Sequence, residues 1–127
     1  MSEQKNIIPL GRQDFDRDLG KLEAELILMS GLVEQAIFNA LNALKSRDID
    51  KSQKVIDEDD NIDQTELEIE RSCIELIRRE APMAGDLRRI VASLHIAGEL
   101  ERIGDYAEGI AKISIKMGGQ PPLKELI

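Results

Sequence analysis

The stretch 86–113 reads DLRRIVASLHIAGELERIGDYAEGIAKI, and the point at which its apolar line turns acidic fixes how the chain is arranged. At about 100° per residue, Leu87, Ile90, Val91 and Leu94 share one face of a helix. The same line runs on through Gly98, Glu101, Gly104, Asp105 and Glu108. A hydrophobic stripe becomes a row of carboxylates interleaved with glycines. The opposite side carries Ile96, Leu100, Ile103, Ala107 and Ile110. The spacing therefore predicts one long helix that meets neighbours in two directions.

Working upstream, Ala81-Pro82 ends a second helix, because proline disfavours helical backbone at the residue before it. Asp48 is placed to accept from the free amides at that helix's start. Within it Asp59, Asp63, Glu66 and Glu70 stand four, three and four residues apart, and Cys73 and Ile77 continue the line. Ile62, Ile69 and Leu76 flank the ladder on one side, and Ile56, Leu67 and Ile74 on the other. The first helix has a coiled-coil-like seam: Phe15, Leu19, Leu22, Leu26, Met29, Val33, Ala36, Ala40 and Ala43 alternate at four and three. Ile27, Ile37, Leu41 and Leu44 widen it, and its narrowing to alanine predicts close helix approach at that end.

The reading is an all-α, up-down-up three-helix bundle with helices at about 14–46, 49–80 and 85–117. Short connections make consecutive helices antiparallel, and Gly118-Gly119 closes the third. Residues 1–13 read as a weakly structured N-terminal lead and 14–118 as the bundle. Residues 119–127 read as a tail or the start of a fourth helix after Pro121-Pro122.

Composition narrows the function classes. The formal charge of −8 argues against nucleic acid, since phosphates would find little to neutralise them, and it permits cation binding. One cysteine, Cys73, excludes an intrachain disulfide and a cysteine-based zinc cluster. The N-terminal MSEQKNII lacks the basic start and apolar run of a signal peptide, and no run approaches the ~18 apolar residues of a membrane span. The expected location is cytoplasmic, without membrane insertion.

The two acidic lines need compensation. Like charges one turn apart repel, and partial burial raises the cost or forces protonation. Basic side chains from neighbouring helices, retained protons or a bound metal could each supply it. All-oxygen sites suit Mg²⁺, Ca²⁺ or Mn²⁺, and iron also accepts carboxylates. The Glu-x-x-His pattern of ferritin-like centres is absent, which argues against a buried redox di-iron site. The competing reading is that both lines are solvated faces. Arg78, Arg79, Arg88 and Arg89 bracket the second turn. They could receive phosphate or an acidic partner, or simply close the helix end and pair with Asp86 or Glu80. His95 is alone, Cys73 reads as structural and Tyr106 has no evident role. With no phosphate-binding glycine loop, nucleophile or tuned base, the chain does not read as an enzyme.

Across 14–117 the chain resembles the PhoU family. The resemblance is carried by Pro82 with Asp86-Leu87-Arg88, by Glu101-Arg102-Ile103-Gly104-Asp105 with Ala107 and Ile110, and by Asp59 and Asp63 as an acidic D-x-x-x-D element. It implies a cytoplasmic accessory regulator of phosphate uptake that holds the phosphate-starvation response off. Such an adaptor would link the ATPase subunit of the phosphate ABC transporter to a sensor histidine kinase. It implies metal held by E/D-x-x-x-D motifs, iron or zinc, while the oxygen donors themselves leave Mg or Mn as alternatives. Glu101 and Asp105 match that motif best, and Asp59 and Asp63 next. The turn at Asp86, Arg88 and Arg89 is the expected partner contact, and a homo-oligomer, specifically a homodimer, is expected. Family members are usually two tandem three-helix repeats, so this chain reads as a single-repeat or truncated member. The alternative is a generic helical interaction module without metal.

Overall fold

The computed structural model describes residues 10–118. Three helices follow one another: α1 (Leu10–Ser46), α2 (Ile49–Glu80) and α3 (Ala84–Met117), and each packs against both others. This is the expected three-helix bundle. Helix α1 starts at Leu10, earlier than the expected 14. Its first turns are tied down from outside: Arg12 pairs with Asp16 one turn on and with Asp86 at the head of α3, and its guanidinium lies 5.3 Å from the Phe15 ring centroid. The residues before Leu10 and the tail at 119–127 lie outside the described residues.

Both turns follow local chemistry. Asp48 caps α2 by accepting from the Lys51 amide at 3.0 Å. Arg47 adopts φ 57° just before it and donates through Nη1 to the Leu44 carbonyl at 2.8 Å, satisfying one acceptor at the end of α1. Ala81 ends α2 in the left-handed region, φ 43°, with its amide on the Ile77 carbonyl at 3.1 Å. Substituting Asp48→Ala should lower the unfolding free energy by about 1 kcal/mol in urea titration. An unchanged midpoint would mean the cap is dispensable.

The core is three heptad seams. On α1, Phe15, Leu19, Leu22, Leu26, Met29, Val33, Ala40 and Ala43 are buried, with Ala36 half-buried. Ile27 is instead 73% exposed, so it does not widen this stripe. On α2 the buried line is Ser52, Val55, Asp59, Ile62, Ile69, Cys73 and Leu76. On α3 it is Ile90, Ser93, Ala97, Gly104, Ala107, Ala111 and Ser114.

That last line narrows the expectation of two apolar contact faces on α3. The helix meets both neighbours, as expected, but through a buried seam of mostly small residues that runs between the two expected faces, with Leu94 and Leu100, one from each face, packed half-buried against the core. Leu87 and Val91 on one side, and Ile96 and Ile103 on the other, are exposed. Small side chains hold the seam because helices can approach closely only where little stands between their backbones. The expected narrowing of α1 is present: Ala40 and Ala43 are fully buried, and Ser114 Oγ reaches the Ala43 carbonyl at 3.5 Å.

The buried residues fall into two groups. A larger one runs from Phe15 through Ile62, Ile69, Leu76, Ile90 and Ala97. A smaller one gathers Ala40, Val55, Ala107 and Ala111. Ala36 and Ile37 of α1 pack against both. On α2 the break falls at Asp59, and on α3 at Gly104.

Among the described residues, only α1 is long and apolar enough to cross a membrane, and 22% of its most apolar window is buried. Its inner seam forms the bundle core.

Candidate metal centre

Asp59 sits on the buried seam of α2 because it follows Val55 by four residues and precedes Ile62 by three. It is 5% exposed. Asp63, one turn on, is half-buried, and its Oδ1 is shielded from solvent without a hydrogen-bond partner. Asp105 approaches from α3 and is exposed. One oxygen from each of these three carboxylates lies within 4.8 Å of the other two. Oxygens on one ion can stand apart by at most twice the metal–oxygen distance, about 4–5 Å. Three oxygens gathered this closely stand near the upper limit for sharing one ion, which makes them a candidate cation site.

Gly104 makes this approach possible. A Cβ at that position would stand 3.2 Å from Ile62 Cγ2 and 3.5 Å from Asp59 Oδ1. Any side chain there meets α2 directly, so glycine lets α3 lie close enough for Asp105 to share space with Asp59 and Asp63.

Electrostatics define the centre further. Burial, then repulsion from Asp63, Glu108, Asp105 and Glu101, pushes the Asp59 carboxyl up to about 7. Asp63 is raised by burial and then by Asp105, Glu108 and Asp60. Glu101 is raised by burial and then by Asp105, with Asp63 and Glu66 adding. Glu66 is raised by burial, Glu70 and Asp63. Among the described residues none of Asp59, Asp63, Glu66, Glu101 and Asp105 forms an ion pair. The neighbouring Lys112 goes to Glu108 at 3.6 Å and Arg102 to Glu99 at 3.9 Å. Of the three compensators, basic side chains are therefore not the one used here. For the buried Asp59 a proton or a cation is left, while the exposed Asp105 is also open to solvent.

The structure thus brings Asp59, Asp63 and Asp105 together and sets Glu101 beside Asp105, outside the three-oxygen set. Glu108, on the acidic line of α3 but not among the expected ligands, repels both Asp59 and Asp63. Its place one turn beyond Asp105 was the available signal. Among the described residues no nitrogen or sulfur donor joins the centre. His95 is exposed, while Cys73 is buried with its thiol on the Ile90 carbonyl at 3.7 Å and pushed up to about 11, chiefly by burial. An oxygen-only donor set suits Mg²⁺, Mn²⁺ or iron better than zinc.

At the far end of the bundle the expected contact residues have separate fates. Asp86 is bonded to Arg12, which holds its carboxyl below the usual range. Arg89 pairs with Glu23 of α1 at 2.8 Å. Arg88 is exposed and forms no ion pair among the described residues. Arg78 pairs with Glu75, and Arg79 with Asp18 and Glu80.

Comparison with known proteins places this architecture. The family model described as PhoU domain matches residues 26–114. The chain is 40% identical over 111 residues to the phosphate-specific transport system accessory protein PhoU homolog of Aquifex aeolicus, covering 87% of this chain and 50% of that protein. Against the accessory protein PhoU of Escherichia coli K12 it is 32% identical over 106 residues, 84% of this chain and 44% of that one. The crystal structure of PhoU from Pseudomonas aeruginosa superposes with a TM-score of 0.79 at 37% identity, covering 81% of this chain and 49% of that one. The phosphate transport system regulatory protein PhoU from Streptococcus pneumoniae gives 0.80 at 32% identity, covering 87% and 53%. The chain spans about half the length of these relatives.

Proposed function

The chain belongs to the PhoU family, and on that premise we propose that it is a cytoplasmic regulator of phosphate uptake and of the phosphate-starvation response that works by binding. The family is one of regulatory, non-enzymatic proteins. In this reading the bundle is an adaptor between the ATPase subunit of a phosphate ABC transporter and a sensor histidine kinase. Its names among relatives, accessory proteins of phosphate-specific transport, support the pathway. Arg88, flanked by Asp86 and Arg89, offers a cation to an acidic partner surface at the α2–α3 turn. The chain acts as a homodimer.

The observation that carries the metal part is the α2–α3 carboxylate centre, where a buried aspartate and two neighbours converge with no basic side chain among the described residues to balance them. Asp59, Asp63 and Asp105 hold the cation, and Glu101 completes its outer side. The ion would supply positive charge that locks α2 to α3. Iron fits the donors best among the redox metals, and Mn²⁺ or Mg²⁺ fit equally as hard ions.

One set of proteins tests this. Wild type, Asp63→Ala/Asp105→Ala and Arg88→Glu are loaded with Fe²⁺ or Mn²⁺, desalted, analysed for metal and used to capture the transporter ATPase subunit and the kinase. Wild type should keep metal and capture both. The aspartate variant, with two of the three ligands gone, should lose affinity for metal by more than ~100-fold, since losing one outer-shell partner already costs about 10–100-fold, and Arg88→Glu should keep metal but lose partner. Metal retention that ignores the aspartates sinks the centre, and capture of neither protein sinks the adaptor.

A further inference from the structure

Three cavities, of about 390, 650 and 240 Å³, lie in series between α1 and α2. The first two share Glu25 and Ser72, and the last two share Leu32. Together they form one groove that follows α1 from Asp18 to Asn39, roughly 30 Å, the length of a helix of about 20 residues. None of Asp59, Asp63, Asp105 and Arg88 lines it.

The walls repeat at helix-packing intervals. On α1, Lys21, Glu25, Leu28, Leu32, Gln35 and Asn39 stand four and three residues apart. On α2, Glu58, Asn61, Thr65, Glu68, Ser72 and Glu75 stand three and four apart. Each residue immediately precedes a seam position, so both lines border the core on the side where α1 meets α2. Two such lines facing outward across a groove are spaced to receive the knobs of a further helix.

The middle of the groove is apolar. Leu28 is 68% exposed and Leu32, one turn on, 43%. Opposite them Thr65 spends its hydroxyl on the Asn61 carbonyl at 2.7 Å. Carboxylates surround this middle: Glu25 and Glu68 share a cavity with Leu28, and Glu58 lies in the next. Among the described residues none of the three forms an ion pair or a side-chain hydrogen bond. The first cavity differs. Arg79 there is taken by Asp18 and Glu80, while Lys21 and Arg71 form no ion pair among the described residues. Free negative charge thus borders the leucines, and free positive charge sits at one end.

We propose that this groove docks an amphipathic helix of a partner protein. Two apolar side chains one turn apart lie over Leu28 and Leu32, lysine or arginine beside them meets Glu25, Glu58 and Glu68, and an acidic residue at one end meets Lys21 and Arg71. A second copy of the chain fits badly, because a two-fold contact through the groove sets its three free carboxylates against their own copies. A membrane fits no better: interfacial helices border their apolar face with lysine and arginine, and anionic lipid repels a chain of charge −8. The groove is opposite in chemistry to the Arg88 turn, which offers a cation to an acidic partner, so the two surfaces take different partners.

Fluorescence anisotropy of the full chain with a labelled peptide tests this. The probe is an amphipathic helix of about 20 residues with two leucines one turn apart and lysine on both sides. A second probe carries glutamate in place of lysine. At about 0.15 M salt, where loose attraction between exposed charges is screened, the lysine probe should bind at least ~100-fold more tightly than the glutamate probe. Leu28→Gln/Leu32→Gln should weaken the lysine probe about 30-fold or more with the helical circular dichroism retained, and Glu25→Lys/Glu68→Lys should reverse the preference between the probes. Asp63→Ala/Asp105→Ala should leave binding unchanged. Equal affinity for the two probes, no binding of either, or binding indifferent to Leu28→Gln/Leu32→Gln would overturn the proposal. Loss of binding in Asp63→Ala/Asp105→Ala would do the same, by seating the peptide on the carboxylate centre. So would self-association, or flotation with phosphatidylglycerol vesicles, that Leu28→Gln/Leu32→Gln abolishes. The titration needs neither the transporter nor the kinase, so a failed capture of those proteins and a failed groove are read separately.

Discussion

Asp59→Asn stabilises the metal-free protein at about pH 8 by roughly 2–4 kcal/mol, and the gain disappears near pH 4. The sign follows from linkage. The folded-state value of Asp59, about 7, lies above its ordinary 3.8. The native state therefore holds that proton more tightly than the unfolded chain does. Below pH ~4 both states are protonated and the carboxyl costs nothing extra. As pH rises toward 7 the unfolded chain releases its proton first, so stability falls, and above the folded value the full penalty remains. Asparagine removes the charge and keeps the shape, at the lesser cost of an amide with few partners. Urea titrations in chelator across this range check it: equal gains at both ends of the range, or none at the upper end, would show that Asp59 is not the strained group. Saturating Mn²⁺ should reverse the order at high pH, because the ion binds the native wild type and not the variant.

Gly104→Leu should destabilise the protein by about 3 kcal/mol and abolish metal retention. The first side-chain atom at this position already stands 3.2 Å from Ile62, and a branched side chain has to displace α2 outward. That displacement separates Asp105 from Asp59 and Asp63. Gly104→Ala is the informative control. Alanine gains helix propensity of about 1 kcal/mol and meets the same contact with only one methyl, so its net change should stay within about 1 kcal/mol. Metal retention in the leucine variant, despite a loss of stability, would separate the close approach from the site.

The helices and their order follow from features the chain states locally: the alternation on α1, Asp48 before α2, and Pro82 after it. The carboxylate ladder on α2 was equally legible as spacing. Its burial was not, because Asp59 belongs to a second pattern, Ser52, Val55, Asp59, Ile62, Ile69, Cys73 and Leu76, that polar residues disguise. On α3 the same masking misdirects. Large apolar residues stand out in a sequence and small ones do not, so Leu87, Val91, Ile96 and Ile103 suggested contact faces while the seam was built from Ser93, Ala97, Gly104, Ala107 and Ala111. The meeting of Asp105 with Asp59 and Asp63 depends on the rotation of α3 against α2, which no single helix encodes. The fate of Arg89 was hidden for the same reason: its partner, Glu23, is 66 positions away on a helix that only the fold brings near.

The division of the core at Asp59 and Gly104 bears on how the bundle comes apart. The larger buried group and the small-residue group communicate on α1 through Ala36 and Ile37, while on α2 and α3 the joint is a buried carboxylate against a glycine. With the carboxylates ionised and no cation between them, the joint is the weakest cross-section, and the Ala40–Ala111 end can open as its own foldon while the Phe15–Ile90 end persists. A bound cation or a proton converts two foldons into one cooperative unit. In the urea titrations at high pH this asymmetry is read as a shallower transition for metal-free wild type than for Asp59→Asn. The centre would then set the size of the piece that unfolds at once, as well as how stable it is.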